Sequence, residues 1–245
     1  MTTTGNPFTY GNPITDASRF YGRQREVEQI YSRLRNAEFE SSSVVGERRT
    51  GKTSILYYVA SPEVVKSHGL NTDTYLFTYL DLEMATSTTT PTRLYQYILR
   101  RIATKLQDAE LKQQLTETGQ LGSIDTYDLA DLFDSIDRKN LHIVLLLDEF
   151  DNIGANENFG PEFYYGLRSL AIHHNLALVT ASRSDLAEIS HSEAVRSSPF
   201  FNIFATINLQ PFAQPEIEAM LRGYLSGTGA AFTMAEVNHV LRLAG

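Results

Sequence analysis

Ser43-Val44-Val45-Gly46-Glu47-Arg48-Arg49-Thr50-Gly51-Lys52-Thr53-Ser54 is the stretch that decides the fold. A short β-branched run enters a glycine-containing loop, and the loop runs straight into an apolar helical segment, Ile55 to Ala60. Gly46-x-x-x-x-Gly51-Lys52-Thr53 satisfies the pattern of a phosphate-binding loop (P-loop). The chemistry requires these residue types at this spacing. The glycines let the backbone curl so that successive N–H groups converge on a phosphate, and the helix behind adds its positive N-terminus. Lys52 brings a point charge to the β- and γ-phosphate oxygens, and the Thr53 hydroxyl is a Mg²⁺ ligand. Residues Gly46, Glu47, Arg48, Arg49, Thr50, Gly51, Lys52, Thr53 and Ser54 are therefore the candidate cradle for ATP or ADP with Mg²⁺. Arg48 and Arg49 can neutralise phosphate there, or pair with Glu47 or another surface acid.

Such a loop calls for a carboxylate at the tip of a neighbouring strand. His142-Ile143-Val144-Leu145-Leu146-Leu147-Asp148-Glu149-Phe150-Asp151 supplies it, as a buried strand ending in acids. Asp148 stands where it can hold Mg²⁺ through water, and Glu149 where it can polarise an attacking water. The second acid points to a nucleotide-hydrolysing machine. Asp151-Asn152-Ile153-Gly154 matches a GTPase-like D-x-x-G, but no [NT]-K-x-D guanine-reading motif occurs, so it reads as a coincidental loop turn.

Working outward, residues 1–19 are rich in Thr, Gly, Asn and Pro and read as an extended arm. From Arg23 a helical period places Val27, Ile30, Tyr31 and Leu34 on one face. Tyr75 to Asp81 reads as a strand, and Leu94, Ile98, Ile102 and Leu106 as a helix after Pro91. Residues 108–124 read as a polar connector, followed by a helix carrying Leu129, Leu132, Phe133 and Ile136. A loop over 152–160 precedes a helix spanning Phe163 to Ile172, and 176–183 and 202–209 read as the fourth and fifth strands. Uninterrupted apolar strands alternating with helices predict an α/β fold with a parallel sheet covered on both faces. Beyond Pro211 the pattern is purely helical, with helices from about Pro215 and from Thr233, where Thr-Met-Ala-Glu forms a capping box.

The composition of the 245 residues narrows the function. Apolar residues make up 42% and charged ones 20%, enough for a real core. With 29 acidic against 21 basic residues the net charge is -8, which argues against a non-specific nucleic-acid or membrane-surface binder. Without cysteine there are no disulfides, zinc-thiolate sites or thiol nucleophiles. The N-terminus lacks the pattern of a signal peptide, and the longest aliphatic run, Ile143 to Leu147, is too short to span a bilayer. A soluble, cytoplasmic protein is expected. His173 and His174 are adjacent and diverge by about 100° on a helix, so the pair does not read as a metal site.

Taken in order, these segments resemble the STAND branch of P-loop ATPases, AAA+ relatives that act as signal-transducing switches. The carriers are the arm NPFTYGNPI (6–14), RFYGRQREVEQI (19–30), VVGERRTGKTSIL, LLLDEF, LVTASR and LQPF. The resemblance implies a three-layer P-loop fold with a five-stranded parallel sheet in the order 5-1-4-3-2, the fourth strand lying between the two motif-bearing strands. It divides the chain into an arm (1–19) near the nucleotide, a core (20–210) and the start of a helical lid (211–245), truncated where a family member would continue. It places Tyr21 and Arg23 at the adenine, Pro211 near the base, and Arg183 near the γ-phosphate as a catalytic sensor beside Glu149 and Lys52. Arg168 is the candidate for an arginine finger acting in a neighbour's site.

Each has a plainer reading: Arg23 as a cap or salt bridge of its own helix, Phe20 and Tyr21 as core aromatics, Arg183 as the polar residue after a buried strand. The activity implied is an ATPase switch that is closed with ADP, open with ATP, and self-associating when activated. Protein partners would act through domains absent from this chain, and nucleic acid is disfavoured. Two alternatives stand beside it: a DNA initiator or transposition helper, and a non-hydrolysing module that uses ATP as a structural ligand.

Overall fold

Strands that are apolar on both faces need cover on both, and the computed structural model, which describes residues 6–8 and 11–244, provides it. In chain order the elements are α1 (Gln24–Leu34), β1 (Ser41–Val45), α2 (Lys52–Val59), α3 (Pro62–Ser67), β2 (Tyr75–Asp81) and α4 (Pro91–Ala103). Then follow α5 (Ala109–Thr118), α6 (Thr126–Arg138), β3 (His142–Asp148), α7 (Asp151–Gly154), α8 (Pro161–His173) and β4 (Leu176–Ser182). α9 (Glu193–Arg196), β5 (Phe204–Asn208), α10 (Gln214–Leu225) and α11 (Met234–Ala244) complete the chain. The sheet has five strands, all parallel, in the order β2-β3-β4-β1-β5. This is the expected order 5-1-4-3-2, with β4 between the loop-bearing and acid-bearing strands.

β3 shows how the layers are specified. Ile143, Leu145 and Leu147 enter a core formed with α4, α5, α6 and α8. Val144 and Leu146, pointing the other way, enter a second core formed with α1, α2 and α3. Asp148 has the parity of Val144 and Leu146, which puts its side chain on the α2 side of the sheet. A one-residue slip would turn it to the opposite layer.

The helices α4, α6, α8, α10 and α11 lie close to where periodicity puts them, and the Thr233 capping box forms, with Glu236 accepting from the Thr233 N–H at 2.7 Å. Four local expectations are corrected. The polar connector of 108–124 contains α5, anchored by buried Leu111 and Leu115; two leucines four residues apart on an otherwise polar segment are too weak a period to read. β1 begins at Ser41, because the buried serines 41–43 are paired with β4 and β5 despite their low strand preference. Asn202 and Ile203 belong to a 3₁₀ turn (Pro199–Ile203) and not to the fifth strand. The loop expected over 152–160 begins with the single helical turn α7. The short helices α3 and α9 carry no periodic signal that a sequence reading could find.

Residues 1–5, 9 and 10 of the expected arm lie outside the described residues. Two of its described residues touch α2 and α10: the Ile14 N–H donates to Ser54 Oγ at 3.0 Å, and the Phe8 ring meets Tyr224 edge-on at 5.4 Å. Its last residues, Ala17–Arg19, form a 3₁₀ turn and not extended chain. Helices α10 and α11 pack on one another through Ile217, Leu221 and Val237, a cluster separate from the two sheet cores.

Gly166 is where α8 meets the start of α6. A Cβ there would lie 2.3 Å from Thr126 Oγ1, on a side chain too short to move aside. Gly166→Val is expected to lower stability by about 1–3 kcal/mol, seen as a lower urea midpoint at unchanged slope. An unchanged midpoint would mean that the two helices part at no cost.

Candidate active site

The loop that follows β1 is bent by two left-handed residues, Arg49 (φ 70°) and Gly51 (φ 94°). Gly51 then caps α2, whose first N–H groups have no acceptor within the helix and face the concavity of the loop. Gly46 N–H donates to Ser182 O at 3.1 Å, fixing the loop to the end of β4. The Lys52 ammonium lies inside the curl, donating to Gly46 O at 2.7 Å and Glu47 O at 3.0 Å, and the residue is only 6% exposed. Burial lowers its pKa, against the opposing pull of Glu149, Asp151 and Asp148. Thr50 closes the turn through its hydroxyl to Glu47 O at 2.8 Å. Glu47, Arg48 and Arg49 are exposed at the loop's rim, and Thr53 is half-buried one residue beyond Lys52.

At the end of β3, Asp148 is buried, and both its oxygens are committed. Oδ2 accepts from the Tyr79 hydroxyl at 2.9 Å and Oδ1 from the Glu149 N–H at 3.1 Å. Burial and the adjacent Asp148 charge push the Tyr79 phenol well above its usual range, so that it remains a donor. Glu149 adopts φ 52°, a left-handed conformation that costs a residue with a Cβ about 1–2 kcal/mol. That turn brings its carboxylate to 3.7 Å from the Arg183 guanidinium. The Arg183 N–H in turn donates to both oxygens of Asp151 at 3.1 Å, so Asp151 sets the course of the chain leaving β4. Lys52, Asp148, Glu149 and Arg183 are thus gathered at the carboxyl ends of three adjacent strands, where open α/β sheets bind ligands. Sequence reading passes over Tyr79 and Asp151. Asp151 is visible in the D-x-x-G match but reads there as a turn. Tyr79 looks like an ordinary strand aromatic.

Beside the loop is a cavity of about 290 Å³, close to the lower limit of roughly 300 Å³ for small-molecule sites. Its walls include Phe20, Tyr21 and Arg23, the loop residues Thr50 and Gly51, Ser54 of α2, Phe212 just before α10, and Tyr224 of α10. Phe20 stacks on Tyr58 of α2 at 4.0 Å and belongs equally to the core. Tyr21 lies directly on Gly223 of α10 and meets Tyr224 edge-on at 5.3 Å. Pro211 is exposed, and the wall at that point is its neighbour Phe212. The Ser54 hydroxyl is turned to the arm. Arg168, the arginine-finger candidate, is half-buried in α8, with its Nε buried and unpaired.

Arg23 ties these parts together. It is 4% exposed, and its guanidinium donates to Glu26 at 3.1 Å, Gln210 O at 2.6 Å and Thr50 O at 3.3 Å. It lies 4.2 Å from the centre of the Phe212 ring, and its backbone N–H donates to Glu216 of α10 at 3.0 Å. A salt bridge within its own helix is the expected part; the links to the P-loop and to the chain entering α10 are not. Removing a buried, paired guanidinium leaves its acceptors unmatched, so Arg23→Ala is expected to cost about 3–5 kcal/mol in urea unfolding. A loss below about 1 kcal/mol would show the guanidinium to be solvated and these links weak.

A five-stranded parallel sheet with the fourth strand between a P-loop strand and an acid-tipped strand defines the three-layer fold of the P-loop NTPases. Residues 36–235 match the family described as Novel STAND NTPase 2, and the chain belongs to that family. No curated protein matches it in sequence. Among solved structures, the ORC2 protein of Aeropyrum pernix in ADPNP–ADP complexes superposes with TM-score 0.67 at 13% identity, covering 99% of this chain and 60% of that one. The ORC1 protein of the same organism in complex with DNA gives TM-score 0.59 at 17% identity, covering 92% and 55%. The Walker-type ATPase PABY2304 of Pyrococcus abyssi gives 0.58 at 15%, covering 95% and 65%. The chain therefore spans about 60% of the length of the ORC2 protein it matches. Among the described residues, no helix is long and apolar enough to cross a membrane.

Proposed function

We propose that this chain binds ATP and Mg²⁺ at the P-loop, hydrolyses ATP, and uses the bound nucleotide to set the position of α10 and α11 as a regulatory switch. The observation that carries the reading is Arg23, which joins the P-loop carbonyl of Thr50, the carbonyl of Gln210 and the Glu216 side chain beside a ligand-sized cavity. A nucleotide there touches the core and the helical pair together, so two nucleotides that fit the junction differently shift its equilibrium. The base enters the aromatic cavity, whose wall includes Arg23 beside Phe20 and Tyr21. The phosphates take the N-terminus of α2 and the Lys52 ammonium. Thr53 and Asp148 would hold Mg²⁺, which screens the charge between the β- and γ-phosphate oxygens. Glu149 takes the proton of the attacking water, and Arg183 stabilises charge on the γ-phosphate.

On this reading residues 1–19 form an arm over the nucleotide, 20–210 the ATPase core and 211–245 a lid. ADP holds the closed form, and ATP opens the lid and favours self-association. The same activity suits a cytoplasmic protein. The test is to purify the chain, denature it and identify released nucleotide by chromatography. Then the ADP- and ATP-loaded forms are compared by analytical ultracentrifugation. Bound ADP and a nucleotide-dependent change in sedimentation support a switch; equal affinity and identical sedimentation with both nucleotides exclude it.

A second reading, a DNA-handling ATPase, has in its favour that one similar fold, ORC1 of Aeropyrum pernix, is described in complex with DNA. The net charge of -8 weighs against it. Duplex binding at low salt that weakens steeply with added salt would favour it over the switch.

A further inference from the structure

We propose that Tyr79 is a positioning residue that fixes the Asp148 carboxylate for metal binding, and that Tyr57 carries this restraint to the helix following the P-loop. The proposal rests on the nucleotide reading above and deepens it.

Tyr79 lies on β2, opposite Leu146 in the register of β3, and so shares a face with Asp148 two residues further along. Its side chain runs past Leu146 towards the carboxyl ends of the strands and donates its hydroxyl to Asp148 Oδ2 at 2.9 Å. On its other side, Tyr57 of α2 stacks against it with ring centres 4.6 Å apart and planes 26° from parallel. The chain of contact is therefore Asp148, Tyr79, Tyr57 and α2, the helix that opens with Lys52 and Thr53. The two proposed metal-holding residues, on β3 and α2, are connected through two aromatic rings.

Physically, a carboxylate at a strand end can rotate about two bonds, and each wrong rotamer turns its lone pairs from the ion. The Glu149 N–H holds Oδ1, and the Tyr79 hydroxyl holds Oδ2. Two donors in fixed positions define the carboxylate plane and leave each oxygen a further lone pair. Partners of this kind, which orient a ligand without touching the ion, typically change metal affinity 10–100-fold when removed. A phenylalanine would fill the same space against Tyr57, so packing alone does not require the hydroxyl.

The test uses the whole chain, Mn²⁺ and a non-hydrolysable ATP analogue, with bound Mn²⁺ followed by electron paramagnetic resonance. Tyr79→Phe is expected to raise the Mn²⁺ dissociation constant about 10-fold or more, with nucleotide binding in EDTA unchanged. Tyr57→Leu is expected to shift Mn²⁺ affinity the same way and less. In Asp148→Asn, adding Tyr79→Phe is expected to change nothing further, because the two act through one contact. Unchanged Mn²⁺ affinity in Tyr79→Phe overturns the proposal, as does a parallel loss of nucleotide binding in EDTA, which would assign the tyrosine to packing alone. If Tyr79→Phe does not fold, Tyr57→Leu decides the matter by the same two readouts. A native chain that takes up no nucleotide, with or without metal, would remove the nucleotide reading and this proposal together, a result distinct from either outcome in the variants.

Discussion

Glu149→Gln is expected to slow ATP hydrolysis by about 10²–10⁴-fold while leaving ATP binding close to that of the native chain. The substitution keeps the size of the side chain and the left-handed backbone at φ 52°, and removes the negative charge and with it the ability to take a proton. The loss corresponds to roughly 3–5 kcal/mol of transition-state stabilisation, with none taken from the ground state. The ion pair with Arg183, at 3.7 Å with the arginine side chain 53% exposed, is too weak to hold the carboxylate against a competing phosphate. Single-turnover phosphate release with radiolabelled ATP measures the effect. A rate within a few-fold of native would move the base elsewhere, and Asp151, which holds the Arg183 N–H, would be examined next.

The second large effect is expected at Lys52. Lys52→Ala should weaken MgATP binding by about 2–5 kcal/mol, or roughly 30- to 4,000-fold, measured by calorimetric titration. The ammonium is enclosed by the loop and donates to two of its carbonyls, so its loss removes both the charge for the phosphates and a brace of the cradle. Urea unfolding separates the two: a folded variant that no longer binds ATP assigns the charge to the nucleotide. Lys52→Arg is not expected to rescue, because a planar guanidinium cannot take the place of a compact ammonium inside the curl. Normal ATP affinity in Lys52→Ala would place the phosphates somewhere other than this loop.

The P-loop and the acid-tipped strand are legible in the sequence because each is a local signal. Gly51 needs a left-handed conformation next to a helix start, and Asp148 follows an unbroken apolar strand. α1, α4 and α6 are legible for the same reason, since their apolar stripes repeat within a single element. α5 is not, because only Leu111 and Leu115 are buried in it, and their significance depends on α4 and α6 being alongside. The serines of β1 look unlike a strand until β4 and β5 flank them.

Arg23 marks the same boundary within the site. Its neighbour Glu26 is three residues away and readable, whereas Thr50, Gln210 and Glu216 come from distant parts of the chain. Tyr79 and Asp151 are functional candidates only through partners on other strands. The sequence by itself determined the chemistry on offer: a phosphate loop, a pair of acids, an α/β alternation and the family to which these belong. The tertiary structure decided which side chains orient those groups, and how the helices after Gln210 are tied to the loop. The physical reason is range. Backbone conformation and amphipathic period are set by residues a few positions apart, while hydrogen bonds between strands and helices exist only after the sheet has brought distant segments together.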